Sequence, residues 1–170
     1  LIVNTSLTTL DLSLNGISCN GAHCLSQALR VNTSLTFLDL SHNTIGARGA
    51  YYLSQALRVN TSLTTLHLSN NHISSERHTI HVMIEECIAT LDSPRNSEAL
   101  REDTSRMYSS SSVDVVEGAS FLAQALKVNT SLSTLDLSEN RIRDEAVNSL
   151  SQALRENTSL TTLDLARNCI

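Results

Sequence analysis

The sequence predicts an α/β solenoid of 28-residue units, with a parallel sheet on one side and helices on the other. Three observations predict it. The phrase Asn-Thr-Ser-Leu starts at Asn4, Asn32, Asn60, Asn129 and Asn157. Three of the four spacings are 28 residues, and the fourth, 69, is one unit plus 41 extra residues. A fixed period in this range means stacked, similar units. Each unit opens with leucines two residues apart, such as Leu10 and Leu12, which share one face of a short strand. Each then changes period: Ala22, Leu25, Ala28 and Leu29 follow helical spacing.

The strand half repeats with little change. Leu7, Leu10, Leu12, Asn15 and Ile17 frame the first unit, and Leu35, Leu38, Leu40, Asn43 and Ile45 the second. Leu63, Leu66, Leu68, Asn71 and Ile73 follow, then Leu132, Leu135, Leu137, Asn140 and Ile142, then Leu160, Leu163, Leu165, Asn168 and Ile170. The helical half recurs as Ala50, Leu53, Ala56, Leu57, as Ala119, Leu122, Ala125, Leu126, and as Val147, Leu150, Ala153, Leu154. A helix is the crossover that parallel neighbours require. Small alanines let it lie close to the sheet. One unit cannot bury its own apolar face, so stability comes from neighbours. The recurring Asn15-type residue is expected to satisfy loop backbone groups between units. The asparagine of Asn-Thr-Ser follows the last helical residue, where a left-handed cap is expected. Each Asn-Thr-Ser is also a glycosylation sequon, read here as a by-product of the scaffold.

With 170 residues the chain is long enough for a continuous core. A net charge of -5 weighs against nucleic acid, whose binders carry a basic face. No apolar run is long enough for a membrane span. Leu1-Ile2-Val3 aligns with Leu29-Arg30-Val31, so the sequence is expected to be an excerpt of a longer solenoid. Cys19, Cys24, Cys87 and Cys169 show no Cys-x-x-Cys pair and no disulfide framework, so buried or half-buried thiols in a reducing, cytoplasmic setting are expected.

The pattern Leu-x-x-Leu-x-Leu-x-x-Asn-x-Ile, then Gly-Ala-x-x-Leu-x-x-Ala-Leu, resembles the ribonuclease-inhibitor-like leucine-rich repeats. The resemblance covers residues 1–73 and about 115–170. It implies a horseshoe arc with a concave sheet and a convex helical rim. It also implies relatives as different as ribonuclease inhibitor, the sensing arms of NOD-like receptors and the Ran GTPase-activating protein. These share a scaffold and not an activity. Ala146 departs from the pattern where the other helices carry Gly21, Gly49 and Gly118.

The organisation that follows is repeats over 1–73, an insertion over 74–114, and repeats over 115–170. The insertion leaves from a strand-to-helix loop, where added length need not break the core. Ile80, Ile84, Ile88 and Leu91 predict an amphipathic helix over Thr79–Leu91, which Asp92-Ser93-Pro94 would end. The polar stretch Arg95–Ser112 reads as flexible. A docking element, a phosphorylated loop, a decayed repeat and a misassigned gene segment all fit. His78, His81 and Cys87 match no usual zinc spacing.

The candidate binding residues lie on the strand positions that alternate with the leucines. One column holds Thr9, Phe37, Thr65 and Thr134, and the next holds Asp11, Asp39, His67, Asp136 and Asp164. Adjacent strands lie roughly 4.8 Å apart, where two like charges repel by only about 0.8 kcal/mol in a water-like medium. The acidic column is therefore tolerated in solvent, and it also suits Lys or Arg from a partner. Phe37 is the one aromatic among these outward positions and a candidate anchor. His67 interrupts the acids and predicts binding that responds to pH. Arg30, Arg58, Lys127 and Arg155 end the helices and complement their dipoles.

No phosphate loop, nucleophile elbow, paired acid–base set, metal site or cofactor motif is readable. The expectation is a non-catalytic module that binds a protein partner, with a basic surface as its complement. Nucleic acid, membrane and small-molecule substrates are not expected. The competing expectations are the repeat arm of a Ran-type GTPase activator, with Arg48, Arg141 and Arg143 as generic candidates for its arginine, and a NOD-like sensing arm.

Overall fold

The computed structural model describes residues 1–74 and 118–170. The predicted helix over 79–91, the flexible stretch and the His78–His81–Cys87 set lie outside the described residues.

Five three-residue strands form one parallel sheet in chain order. They are β1 (Thr9–Asp11), β2 (Phe37–Asp39), β3 (Thr65–His67), β4 (Thr134–Asp136) and β5 (Thr162–Asp164). Among the described residues four helices alternate with them: α1 (Cys19–Leu29), α2 (Gly46–Leu57), α3 (Gly118–Leu126) and α4 (Asp144–Glu156). Each helix packs on the next. The architecture is the predicted α/β solenoid. β3 pairs with β4 in the same register as the other neighbours, Leu66 against Leu135, although 69 residues separate them.

The leucine faces form the core. Leu38, Leu40, Leu66, Leu68, Leu135 and Leu137 are fully buried, as are Leu53 and Leu122 on the helices. Burial of each such side chain is worth roughly 1.5–3 kcal/mol. Ala22, Ala50, Ala119 and Ala153 are also fully buried, which is how the helices approach the sheet so closely. In the end units Leu10 and Leu163 are only partly buried, and Leu154 is 41% exposed. Its equivalents Leu29, Leu57 and Leu126 are 0–1% exposed, so the predicted slot is a core position in α1, α2 and α3 and is uncovered only in α4.

Two asparagine ladders join the units. In the first, Asn43 Oδ1 accepts from the N–H of Asn15 at 3.1 Å and of Ile17 at 2.8 Å. Its Nδ2 donates to Leu12 O at 3.0 Å and Leu40 O at 2.8 Å. Asn140 does the same for Asn71 and Ile73, and Asn168 for Asn140 and Ile142. The second ladder corrects the expected left-handed cap. None of Asn32, Asn60, Asn129 and Asn157 has a positive φ. Instead, Asn60 Oδ1 accepts from the N–H of Ser62 and Leu63, which forms the turn into the next strand. Its Nδ2 donates to Leu29 O at 2.7 Å and Asn32 O at 3.1 Å, in the preceding unit. An amide with two donors and an acceptor fills both needs at once, which a backbone cap would not. Asn32, Asn60 and Asn129 are 4–5% exposed, so these sequon amides are structural.

The left-handed positions occur just after the strands. Leu14, His42, Asn70, Glu139 and Arg167, one per unit, all have φ between 51° and 59°. The thiol expectation also needs correcting. Cys24 and Cys169 are free but exposed, and the buried Cys19 is disulfide-bonded.

Candidate functional site

The sheet register places the outward side chains in two continuous columns. Thr9, Phe37, Thr65, Thr134 and Thr162 are aligned strand by strand, and so are Asp11, Asp39, His67, Asp136 and Asp164. Every residue expected at the site thus shares one face, because alternation along a three-residue strand leaves no other arrangement. That face is graded. Thr9, Asp11 and Asp164 are exposed, while Phe37, Asp39, Thr65, His67, Thr134 and Asp136 are half-buried.

The central strands carry a linked trio. The Phe37 and His67 rings meet edge-on, with centroids 5.1 Å apart at 75°. His67 Nδ1 lies 3.5 Å from Asp39 Oδ2. Phe37 is therefore not a lone apolar residue between threonines. Its ring is braced by the neighbouring strand, which holds it in place as a contact surface.

The acidic column has a structural task. Asp11 Oδ1 accepts from the Ser13 N–H at 2.9 Å, and Asp39, Asp136 and Asp164 do the same for Ser41, Ser138 and Ala166 at 2.8 Å. Each carboxylate closes the turn that leads out of its strand. The Ser13 N–H, and then its hydroxyl, hold the Asp11 carboxyl below the usual carboxylate range. These bonds explain why acids recur at 4.8 Å-scale spacing despite weak mutual repulsion, which is of order 1 kcal/mol.

The helix side holds a second cluster. His23 of α1 packs on Tyr52 of α2 with centroids 4.5 Å apart. Tyr51 meets Tyr52 at 5.6 Å and Phe121 of α3 at 5.1 Å. The Arg48 guanidinium lies 5.8 Å from the Tyr52 ring centre, and its Nε donates to the Tyr52 hydroxyl at 3.1 Å. Sequence reasoning missed this cluster. The signal was available: Cys24, Tyr52 and Phe121 fall in one slot of successive helices, and Arg48 and Tyr52 are one helical turn apart.

Of the three arginines named as candidates for a GTPase activator, one is on a helix and two are on the loop between β4 and α4. Arg48 is taken up by α2, Arg141 is in a left-handed loop position at φ 56°, and Arg143 precedes α4. At the helix ends, Arg30 and Arg58 are C-caps, Arg155 is in the last turn of α4, and Lys127 pairs with Glu156 at 3.2 Å. Among the described residues no group of three or more His, Cys, Asp or Glu is arranged to hold a metal ion. No described helix is long and apolar enough to cross a membrane.

The profile of the leucine-rich repeat matches residues 3–26, 31–54, 59–76, 128–151 and 156–170. Among solved structures, leiomodin-1 actin-binding site 2 is similar at a TM-score of 0.65 and 18% identity, covering 95% of this chain and 72% of its own. The tropomodulin C-terminal domain of Caenorhabditis elegans is similar at 0.63 and 13% identity, covering 96% of this chain and 75% of its own. Both likenesses are likenesses of fold. No curated protein sequence matches.

Proposed function

This chain belongs to the leucine-rich repeat family, and from that premise we propose that it is a non-catalytic module that binds a protein partner on the exposed face of its sheet. The regular 28-residue alternation of strand and helix supports the ribonuclease-inhibitor-like kind of repeat. The observation that carries the binding reading is the braced Phe37–His67–Asp39 trio at the centre of an otherwise hydroxyl and carboxylate surface. A fixed aromatic ringed by polar groups is the composition of an interface centre. The four aspartates make a basic partner the electrostatic complement.

The test is affinity capture with single substitutions, each variant checked for retained folding because the Asp39 carboxylate also closes the turn after β2. Asp39→Lys and Phe37→Ser should each lower recovery of a partner caught by the unaltered chain, while Arg155→Glu, on the helix side, should not. Equal recovery by all three would move the site off the sheet. Actin is a reasonable first partner to try, since one solved structure of similar fold carries an actin-binding site.

A further inference from the structure

The four aspartates of the sheet face differ in what they leave open. Each commits Oδ1 to the turn after its strand, 2.8–2.9 Å from the N–H of Ser13, Ser41, Ser138 or Ala166. Oδ2 is therefore the oxygen a partner meets. On Asp39 that oxygen is covered, because His67 Nδ1 stands 3.5 Å from it. Asp11 is held a second time by the Ser13 hydroxyl and, like Asp164, lies open to solvent. Water and salt screen an ion pair at such exposed positions. Asp136 is different from all three. It is half-buried, and the bond to Ser138 is its one hydrogen bond or ion pair among the described residues.

The register fixes where Asp136 stands from the aromatic anchor. Phe37 is on β2 and Asp136 on β4, with β3 between them. Thr134 is the β4 position level with Thr65 and so with Phe37, which puts Asp136 two residues further along. Two strand spacings of about 4.8 Å and two residues of about 3.3 Å separate the two positions by about 12 Å. An extended segment covers that distance in about four residues, and residues four apart in it point to the same side. The acid nearer the ring, Asp39, is the one His67 covers. The face thus offers an apolar seat and a cation seat at opposite ends of a diagonal. No lysine or arginine stands in either column, and the net charge of -5 favours a cationic ligand.

We propose that Asp136 is the specificity-determining acid of this face: it takes one cationic side chain of an extended partner segment whose apolar side chain, four residues away, rests on Phe37. This assignment rests on the reading of the sheet as a binding face, and adds the spacing of the groups the partner must present. Partial burial screens Asp136 less than Asp11 and Asp164, so the cation is selected at one strand and not along the whole column.

The experiment is a nuclear magnetic resonance titration of the full chain with capped pentapeptides. In Leu-Gly-Ser-Gly-Lys the apolar and cationic side chains are four residues apart. Leu-Gly-Lys-Gly-Ser shortens the spacing to two, and Leu-Gly-Ser-Gly-Gln removes the charge. The Ser138 and Ser41 amide protons report on Asp136 and Asp39 separately, since each is bonded to Oδ1 of its own aspartate. The first peptide should shift the Phe37 ring and the Ser138 amide to saturation, with a smaller shift at Ser41. It should bind about fivefold tighter than the other two. Asp136→Asn keeps the oxygen that closes the turn and should abolish that advantage, and Asp39→Asn should reduce it less. Equal shifts at Ser41 and Ser138, with the Phe37 ring still saturating, would overturn the Asp136 assignment and leave the sheet reading intact. Equal affinity for the two spacings would do the same. No saturable shift of the Phe37 ring with any peptide would count against the sheet face itself, and Asp136 would fall with it. Should Asp136→Asn not fold, the contrast between Ser138 and Ser41 in the unaltered chain decides alone.

Discussion

His23 shows how one side chain reports on its neighbours. Burial, and after it the Arg48 charge, lower its affinity for a proton in the folded chain. The unfolded chain has neither effect and takes up a proton near pH 6.5, the ordinary histidine value. As pH falls through that value the unfolded state gains protons first, so folding stability must decline. The decline levels off below the folded-state value. The urea midpoint should therefore drop as pH falls through about 6.5, and His23→Gln should show a smaller drop. A variant that keeps the whole drop would assign it to other groups. Asp11 follows the opposite chemistry with the same sign. Its depressed carboxyl lends stability above the ordinary carboxylate range and loses it as pH falls further.

At the scale of the element, the contact of α3 with its neighbours depends on one missing atom. A Cβ at Gly118 would come within 2.8 Å of Ala47 Cα and of the Ile73 carbonyl oxygen, both backbone. Gly21, in the equivalent slot of α1, would meet only the Ile17 side chain, at 2.6 Å. A side chain can turn aside and a backbone cannot, so Gly118→Ala should cost about 1–3 kcal/mol in chemical denaturation, the range of overpacked cores. Gly21→Ala should cost clearly less, and equal losses would refute the argument. Ala146 already occupies this slot in α4, fully buried, so the constraint belongs to the local approach and not to the repeat as such. The strands, their two faces and the helical core slots were legible because repetition averages out local ambiguity. The left-handed loop positions were not, since Leu14, Glu139 and Arg167 are not residues that advertise a positive φ. The same limit hid the trio on the sheet: adjacent columns were readable, but the ring contact of Phe37 with His67 and the turn bonds of the aspartates depend on side-chain geometry.

Across the whole molecule, stability is a matter of neighbours. Leu66 lies between two strands and is fully buried, whereas Leu10 sits in an end strand and is partly buried. Leu66→Ala should cost about 2–5 kcal/mol, the usual range for a core cavity. Leu10→Ala should cost well under that, and urea denaturation of the two variants measures the gradient. Equal losses would mean the stack does not behave as a chain of nearest-neighbour interfaces.

The asparagine ladders have a consequence for synthesis. Each amide serves backbone groups of the unit before it, as Asn43 serves Asn15 and Ile17, 28 and 26 residues earlier. On the ribosome, then, a unit stays incomplete until its successor emerges, and order trails the exit tunnel by one unit. For the third unit the wait is longer, because Asn71 receives its partner from Asn140, 69 residues on. At typical rates of about 5–20 residues per second that is about 3–14 s, against about 1–6 s for an ordinary unit. The nascent chain therefore pauses half-zipped at Ile73, with the Leu66 strand edge awaiting its mate.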